Sequence, residues 1–149
     1  MSDYQPLHIT RTFTAPRQAV WDALTQPDQF KQWYMPAPFS IPACELDVRP
    51  GGAIRIDTQD PDGNIMPVTG EYTVVEEPSK LVTVSSPLDV DGNKLFTTQQ
   101  TIVLTESDGQ TTFDITAEVL SAGPNADQYL QGMEPGLNQA LDQLGTLLA

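Results

Sequence analysis

Leu7, Ile9 and Phe13 share one parity of the chain with Arg11 between them, while His8, Thr10 and Thr12 take the other. Such alternation predicts a strand with one buried face. Ala15-Pro16 ends it, and Pro16 suits the first turn of a helix. Over residues 17–24, Val20, Trp21 and Leu24 fall on one helical face. Thr25-Gln26-Pro27 breaks that helix, and Pro27–Trp33 predicts a second short one with Phe30, Trp33 and Tyr34 on its apolar side.

Beyond the rigid connector Met35-Pro36-Ala37-Pro38 the pattern has period two throughout. Cys44, Leu46 and Val48 alternate with Glu45, Asp47 and Arg49 up to the turn Pro50-Gly51-Gly52. Ile54 and Ile56 alternate with Arg55 and Asp57 up to a second turn over 60–64. Val68, Gly70, Tyr72 and Val74 predict a fourth strand that Glu77-Pro78 ends, and 81–85 a fifth before the turn over 89–93. Residues 96–105 and 111–120 read as the longest strands, joined by Glu106-Ser107-Asp108-Gly109 as a hairpin turn. Phe113, Ile115, Ala117 and Val119 give the cleanest buried face.

Past Ser121-Ala122-Gly123-Pro124 the period becomes helical, with Asn125 as its N-cap. Tyr129, Met133, Leu137, Leu141, Leu144 and Leu148 then recur at three- and four-residue steps. Gly132, Pro135 and Gly136 predict a kink or a frayed turn near 132–136. About six or seven antiparallel strands with one long amphipathic helix can hide the helix's stripe only in the concave face of a curved sheet. The expected fold is therefore a single α+β domain over 1–149, with the two short helices plugging one end and a cavity between sheet and helix.

Composition narrows the function. The chain has one cysteine, Cys44, which excludes an intramolecular disulfide, an iron–sulfur cluster and a Cys-rich zinc site. Its formal charge is −13, and no Lys or Arg follows Lys94. A C-terminal third without cations cannot build the positive patch that phosphate backbones or anionic lipids require, so neither nucleic acid nor a membrane is expected as partner. The first six residues show no secretory pattern, no apolar run approaches the ~20 residues of a span, and a cytoplasmic location is expected.

Several segments together carry a family resemblance. Ile9-Thr10-Arg11-Thr12-Phe13-Thr14-Ala15-Pro16, Val20-Trp21-Asp22-Ala23-Leu24-Thr25 and Phe30-Lys31-Gln32-Trp33-Tyr34-Met35-Pro36 are followed by Asp47-Val48-Arg49-Pro50-Gly51-Gly52, Gly70-Glu71-Tyr72 and Pro78-Ser79-Lys80-Leu81. The C-terminal Gly132-Met133-Glu134, Gly136-Leu137 and Leu141-Asp142-Gln143-Leu144 complete the set. This set resembles the activator-of-heat-shock-ATPase homologue-like branch of the START-type, birch-pollen-allergen-like helix-grip superfamily. The resemblance implies a helix-grip fold; it implies function only weakly, since the superfamily hosts binding proteins, cyclases and cochaperone domains. One departure stands out: an aromatic often found after the helix glycine is replaced here by Leu137 after Gly136.

Against this frame, individual residues gain or lose interest. His8, the one histidine, falls on the outward parity and lacks a partner for a dyad or a metal site. Cys44 shares the apolar parity of Leu46 and reads as a small hydrophobe. Asp60-Pro61-Asp62-Gly63-Asn64 and Asp89-Val90-Asp91-Gly92-Asn93 resemble fragments of a calcium loop, but the glycine is misplaced and hairpin turns explain both. Arg11 points inward by parity, where it either pairs with an acid or backbone carbonyls, the favoured reading, or anchors an anionic ligand group.

Thr98 and Gln100 share parity with Phe96, Ile102 and Leu104, so they place two polar groups either in the cavity or at a strand end that meets water. Trp33, Tyr34, Phe39, Tyr72, Phe96, Phe113 and Met133, with Leu137, are the bulky candidates for the cavity wall. The expected activity is binding of a small hydrophobic molecule, without cofactor, metal or assigned catalytic residue. A cyclase or hydratase, with Arg11, Tyr72 and Cys44 as inward groups, and a cochaperone-like interaction domain are the alternatives. A homodimer through an exposed edge strand is left open.

Overall fold

A computed structural model describes residues 5–124 and 126–149. The N-cap assigned to Asn125 and the first four residues fall outside them. The described residues form seven strands: β1 (Leu7–Phe13), β2 (Ser40–Leu46), β3 (Ala53–Gln59), β4 (Ile65–Glu76), β5 (Lys80–Pro87), β6 (Phe96–Ser107) and β7 (Gln110–Ala122). They form one antiparallel curved sheet in the order β1-β7-β6-β5-β4-β3-β2. Every neighbour but one is a hairpin partner. The exception is β1 on β7, and the helical excursion α1 (Arg17–Thr25) and α2 (Pro27–Trp33) carries the chain from β1 to β2 at the opposite edge of the sheet.

The alternation seen in the sequence becomes the register of the sheet. Ile9 faces Ile115 and Arg11 faces Phe113 across β1 and β7, so both inner faces coincide. The turn between β6 and β7 is the two residues Asp108 and Gly109, with φ of 54° and 77°. A two-residue turn with both φ positive matches strand twist, which accounts for Asp-Gly here.

Three expectations need correcting. Strand β2 begins at Ser40, ahead of the alternation at Cys44, and Val48 lies beyond its end. In β4 a register shift between Tyr72 and Val74 moves Val75, and not Val74, into contact with the core. A bulge inserts one residue and flips every side chain beyond it, so strict alternation cannot survive the kink. The C-terminal stripe is also two helices, α3 (Asp127–Leu130) and α4 (Met133–Leu148), divided at Gln131-Gly132. Pro135 and Gly136 sit inside the first turn of α4, where a missing proline N–H costs no intrahelical bond.

The core lies where α4, α1 and α2 meet the concave face. Ala140, Leu141 and Leu144 of α4 are buried in one cluster with Ile9, Phe13, Val20, Trp21, Phe113 and Ile115. Two polar ties fix the helices: Thr111 Oγ1 of β7 donates to the Ala15 carbonyl just before α1 at 2.7 Å, and Trp33 Nε1 of α2 donates to the Ala23 carbonyl of α1 at 2.8 Å.

Candidate functional site

Space remains between helix and sheet, divided into parts. An inner chamber of about 50 Å³ lies under α2 and is walled by Leu24, Trp33, Ile56, Tyr72, Ile102 and Phe113 among others. Next to it, between the outer halves of β3–β6 and the α3–α4 break, is an open cleft of about 440 Å³. A recess of about 380 Å³ continues from it towards the tips of the β3–β4 and β5–β6 turns. Tyr34, Ser85, Gln100 and Leu137 line both the chamber and the cleft, so they form the partition between them.

The chamber is small. An engineered cavity that takes up benzene measures roughly 150 Å³. At a third of that size, the chamber admits water but no organic molecule unless its wall moves. The space able to hold a ligand is the cleft and its recess.

The predicted residues sort accordingly. Trp33, Tyr72 and Phe113 face only the inner chamber. Tyr34, Gln100 and Leu137 stand at the partition, and Phe39, Phe96, Thr98 and Met133 line the cleft. Arg11 belongs to neither wall. Its guanidinium donates to Asp142 Oδ1 at 2.8 Å and to the carbonyl and Oδ1 of Asn138 at 3.1 and 3.2 Å, clamping α4 onto β1. That corrects its place among the ligand contacts and matches the structural pairing favoured for it.

His8 is exposed beside Asp114 at 2.6 Å. Both Asp-rich turns are hairpin tips: Asp60 Oδ1 accepts from the Asp62 and Asn64 N–H, and Asp89 Oδ1 accepts from those of Asp91 and Asn93. The Asn64 side-chain amide, donating to Asp60 Oδ2 at 3.0 Å, and after it the backbone N–H bonds hold the Asp60 carboxyl below its ordinary range. Cys44 is half-buried with Sγ 3.7 Å from the Pro27 carbonyl, off the chamber wall. Burial pushes its thiol up, Lys31 opposes that, and Asp28 adds to it.

Polar groups on the apolar walls are few. Thr98 is 5 % exposed, lines the cleft, and its hydroxyl makes no hydrogen bond among the described residues. The Gln100 amide lies within hydrogen-bonding reach of the Tyr34 phenol. Burial raises the phenol pKa of both Tyr34 and Tyr72, and these two are the ionisable groups on the chamber wall. Among the described residues no group of three or more His, Cys, Asp or Glu side chains is arranged to hold a metal ion.

Sequence reasoning missed Thr83, Ser85 and Met66 on these walls. The signal for the first two was present, because they continue the inward parity of Leu81 along β5. It also missed Gln143, which ties α4 to the α2–β2 connector. Its Nε2 donates to the Trp33 and Met35 carbonyls at 2.8 Å each, and its Oε1 accepts from Ala37 N–H at 3.0 Å. No periodicity marks a glutamine on a helix flank as a fastener.

Residues 14–149 match the family described as Activator of Hsp90 ATPase homolog 1-like protein. Solved structures show the same fold. A protein from Nitrosomonas europaea is similar at 28 % identity, covering 99 % of this chain and 96 % of its own, with a TM-score of 0.84. A protein from Mycobacterium smegmatis is 28 % identical over 97 % of this chain and 90 % of its own, with a TM-score of 0.81. One from Staphylococcus epidermidis is 28 % identical over 99 % and 92 %, with a TM-score of 0.79. No curated protein matches the chain. No helix of the described residues is long and apolar enough to cross a membrane.

Proposed function

The chain belongs to the Activator of Hsp90 ATPase homolog 1-like family, and from that premise we propose that it binds a small, mostly apolar molecule in the cleft between its sheet and the α3–α4 break. The observation that carries this reading is the cleft itself. Its wall is mostly apolar, formed by Met35, Met66, Val68, Phe96, Met133 and Leu137, and it includes Thr98, whose hydroxyl makes no hydrogen bond among the described residues. Sites for small molecules have this character: apolar area supplies affinity at about 25 cal/mol per Å², and a few polar groups orient the ligand. A hydroxyl that lines the cleft without a protein partner is available to hydrogen-bond a polar group of the ligand.

The test uses the neutral fluorescent probe N-phenyl-1-naphthylamine. Saturable enhancement of its emission by the wild type, lost in Met133→Trp while the fold is kept by circular dichroism, is the expected result. Absence of saturable uptake by the wild type, or equal uptake by Met133→Trp, would overturn the reading. Mass spectrometry of protein purified under native conditions then identifies any molecule carried from the cell.

A further inference from the structure

Resting on that reading, we infer that the ligand is a small organic cation, an apolar body carrying an ammonium or amidinium group, with its charge seated in the recess between the Asp60 and Asp89 turns. Cleft and recess open into one another along Met35, Phe39, Thr58, Met66 and Tyr129. Over both walls the charged residues are Asp60 and Asp89, and no Lys, Arg or His is among the lining residues. Arg55 and Lys94, the nearest basic residues along the chain to Asp60 and Asp89, are exposed and are not part of the lining. An anionic or neutral head group placed there would meet one sign of field only, and a cation would be attracted at both carboxylates.

The mouth carries a second feature that suits a cation. Phe39 and Tyr129 are 43 % and 39 % exposed and line cleft and recess together. Ring faces attract ammonium groups, and both rings line the same recess as Asp60 and Asp89. The Asp89 carboxylate is oriented by the two backbone N–H groups that bind its Oδ1, while among the described residues no hydrogen bond is made to its Oδ2. The apolar end of the same ligand would lie towards Leu137 and Thr98, at the opposite end of the cleft. With two carboxylates on the walls and, among the described residues, no cluster of three, a bare divalent metal ion is a poor occupant. Volumes of about 440 and 380 Å³ in cleft and recess lie in the range of small-molecule sites.

Calorimetry with octylamine, octanol and octanoate at neutral pH separates head group from tail. Octylamine is expected to bind about tenfold more tightly than octanoate. That preference should fall below about twofold in Asp60→Asn/Asp89→Asn and stay near tenfold in Glu71→Gln/Glu118→Gln, which removes the same charge from exposed positions on the sheet's outer face. Asparagine keeps the Oδ1 acceptor of each turn, and Asp89→Asn alone serves if the double variant unfolds. Equal or tighter binding of octanoate, or an amine preference that survives Asp89→Asn undiminished, overturns the inference. Octanol bound without head-group preference sinks the cation and leaves the apolar site standing; no binding of any of the three sinks both.

Discussion

Gln143 and Trp33 are joined between α4 and the end of α2, the glutamine Nε2 donating to the tryptophan carbonyl at 2.8 Å. The same side chain serves the Met35 carbonyl and the Ala37 N–H, so three backbone groups of the connector are satisfied by one residue. This connector carries Tyr34, Met35 and Phe39 to the cleft. The shape of the ligand space therefore depends on a glutamine that does not line it.

Gln143→Ala is expected to destabilise the protein by about 1–3 kcal/mol, because it strands polar groups in a part-buried place. Urea unfolding followed by circular dichroism measures this. A probe-binding defect should accompany it, since Tyr34 and Phe39 lose their anchor. A variant as stable as the wild type with unaltered uptake would show that the connector holds its position by other means.

Thr98→Val is expected to act in the opposite sense. The hydroxyl has no hydrogen-bond partner among the described residues, so an isosteric methyl forfeits no bond within the protein and adds apolar surface at a buried strand position. Stability should rise by up to about 1 kcal/mol, while affinity for a ligand with a hydrogen-bonding group falls. Melting curves with and without ligand separate the two effects. A stability loss of similar size would mean that the hydroxyl is satisfied by ordered water.

Much of this architecture was legible because parity and helical period are local consequences of which face meets the core. Phe113, Ile115 and Ala117 are buried as their alternation demands, and Phe30 and Trp33 are buried as their helical spacing demands. What stayed hidden depends on partners distant in sequence. The bulge beside Tyr72 reverses the parity that would have put Val74 inside. Arg11 could be aimed inward from parity, but not matched to Asp142, 131 residues away. Seven named wall residues do reach the partition or the cleft, whereas the division of the space into a tiny chamber and a larger cleft is a matter of packing that no pattern records.

Raised phenol pKa values predict an alkaline limit on stability. Tyr34 and Tyr72 are held neutral in the folded protein by burial, and negative neighbours add to the effect at Tyr72. Folded protein then binds more protons than unfolded protein above the ordinary tyrosine pKa of ~10. Stability should be fully present below about pH 10 and fall as pH rises beyond it. Absorbance at 295 nm should show two of the four tyrosines ionising only on unfolding, with Tyr72→Phe flattening the decline. Ionisation of all tyrosines near pH 10 in the folded state would contradict it.

Leu137 offers the sharpest test of the partition, because it lines both sides of it and stands where an aromatic is expected from the family pattern. Leu137→Ala removes the wall's largest aliphatic group and should merge chamber and cleft. Buried leucines cost about 2–5 kcal/mol on truncation, and this half-buried one should cost about 1–3. The gain is depth: a longer alkyl chain should then bind more tightly relative to a short one than it does in the wild type, because its end can reach the apolar chamber. Phe113→Ala makes the contrast, since it enlarges only the chamber and leaves the partition closed. It should cost about 3–5 kcal/mol with no change in chain-length preference. Equal preferences in all three proteins would show that Leu137 does not separate the two spaces in solution.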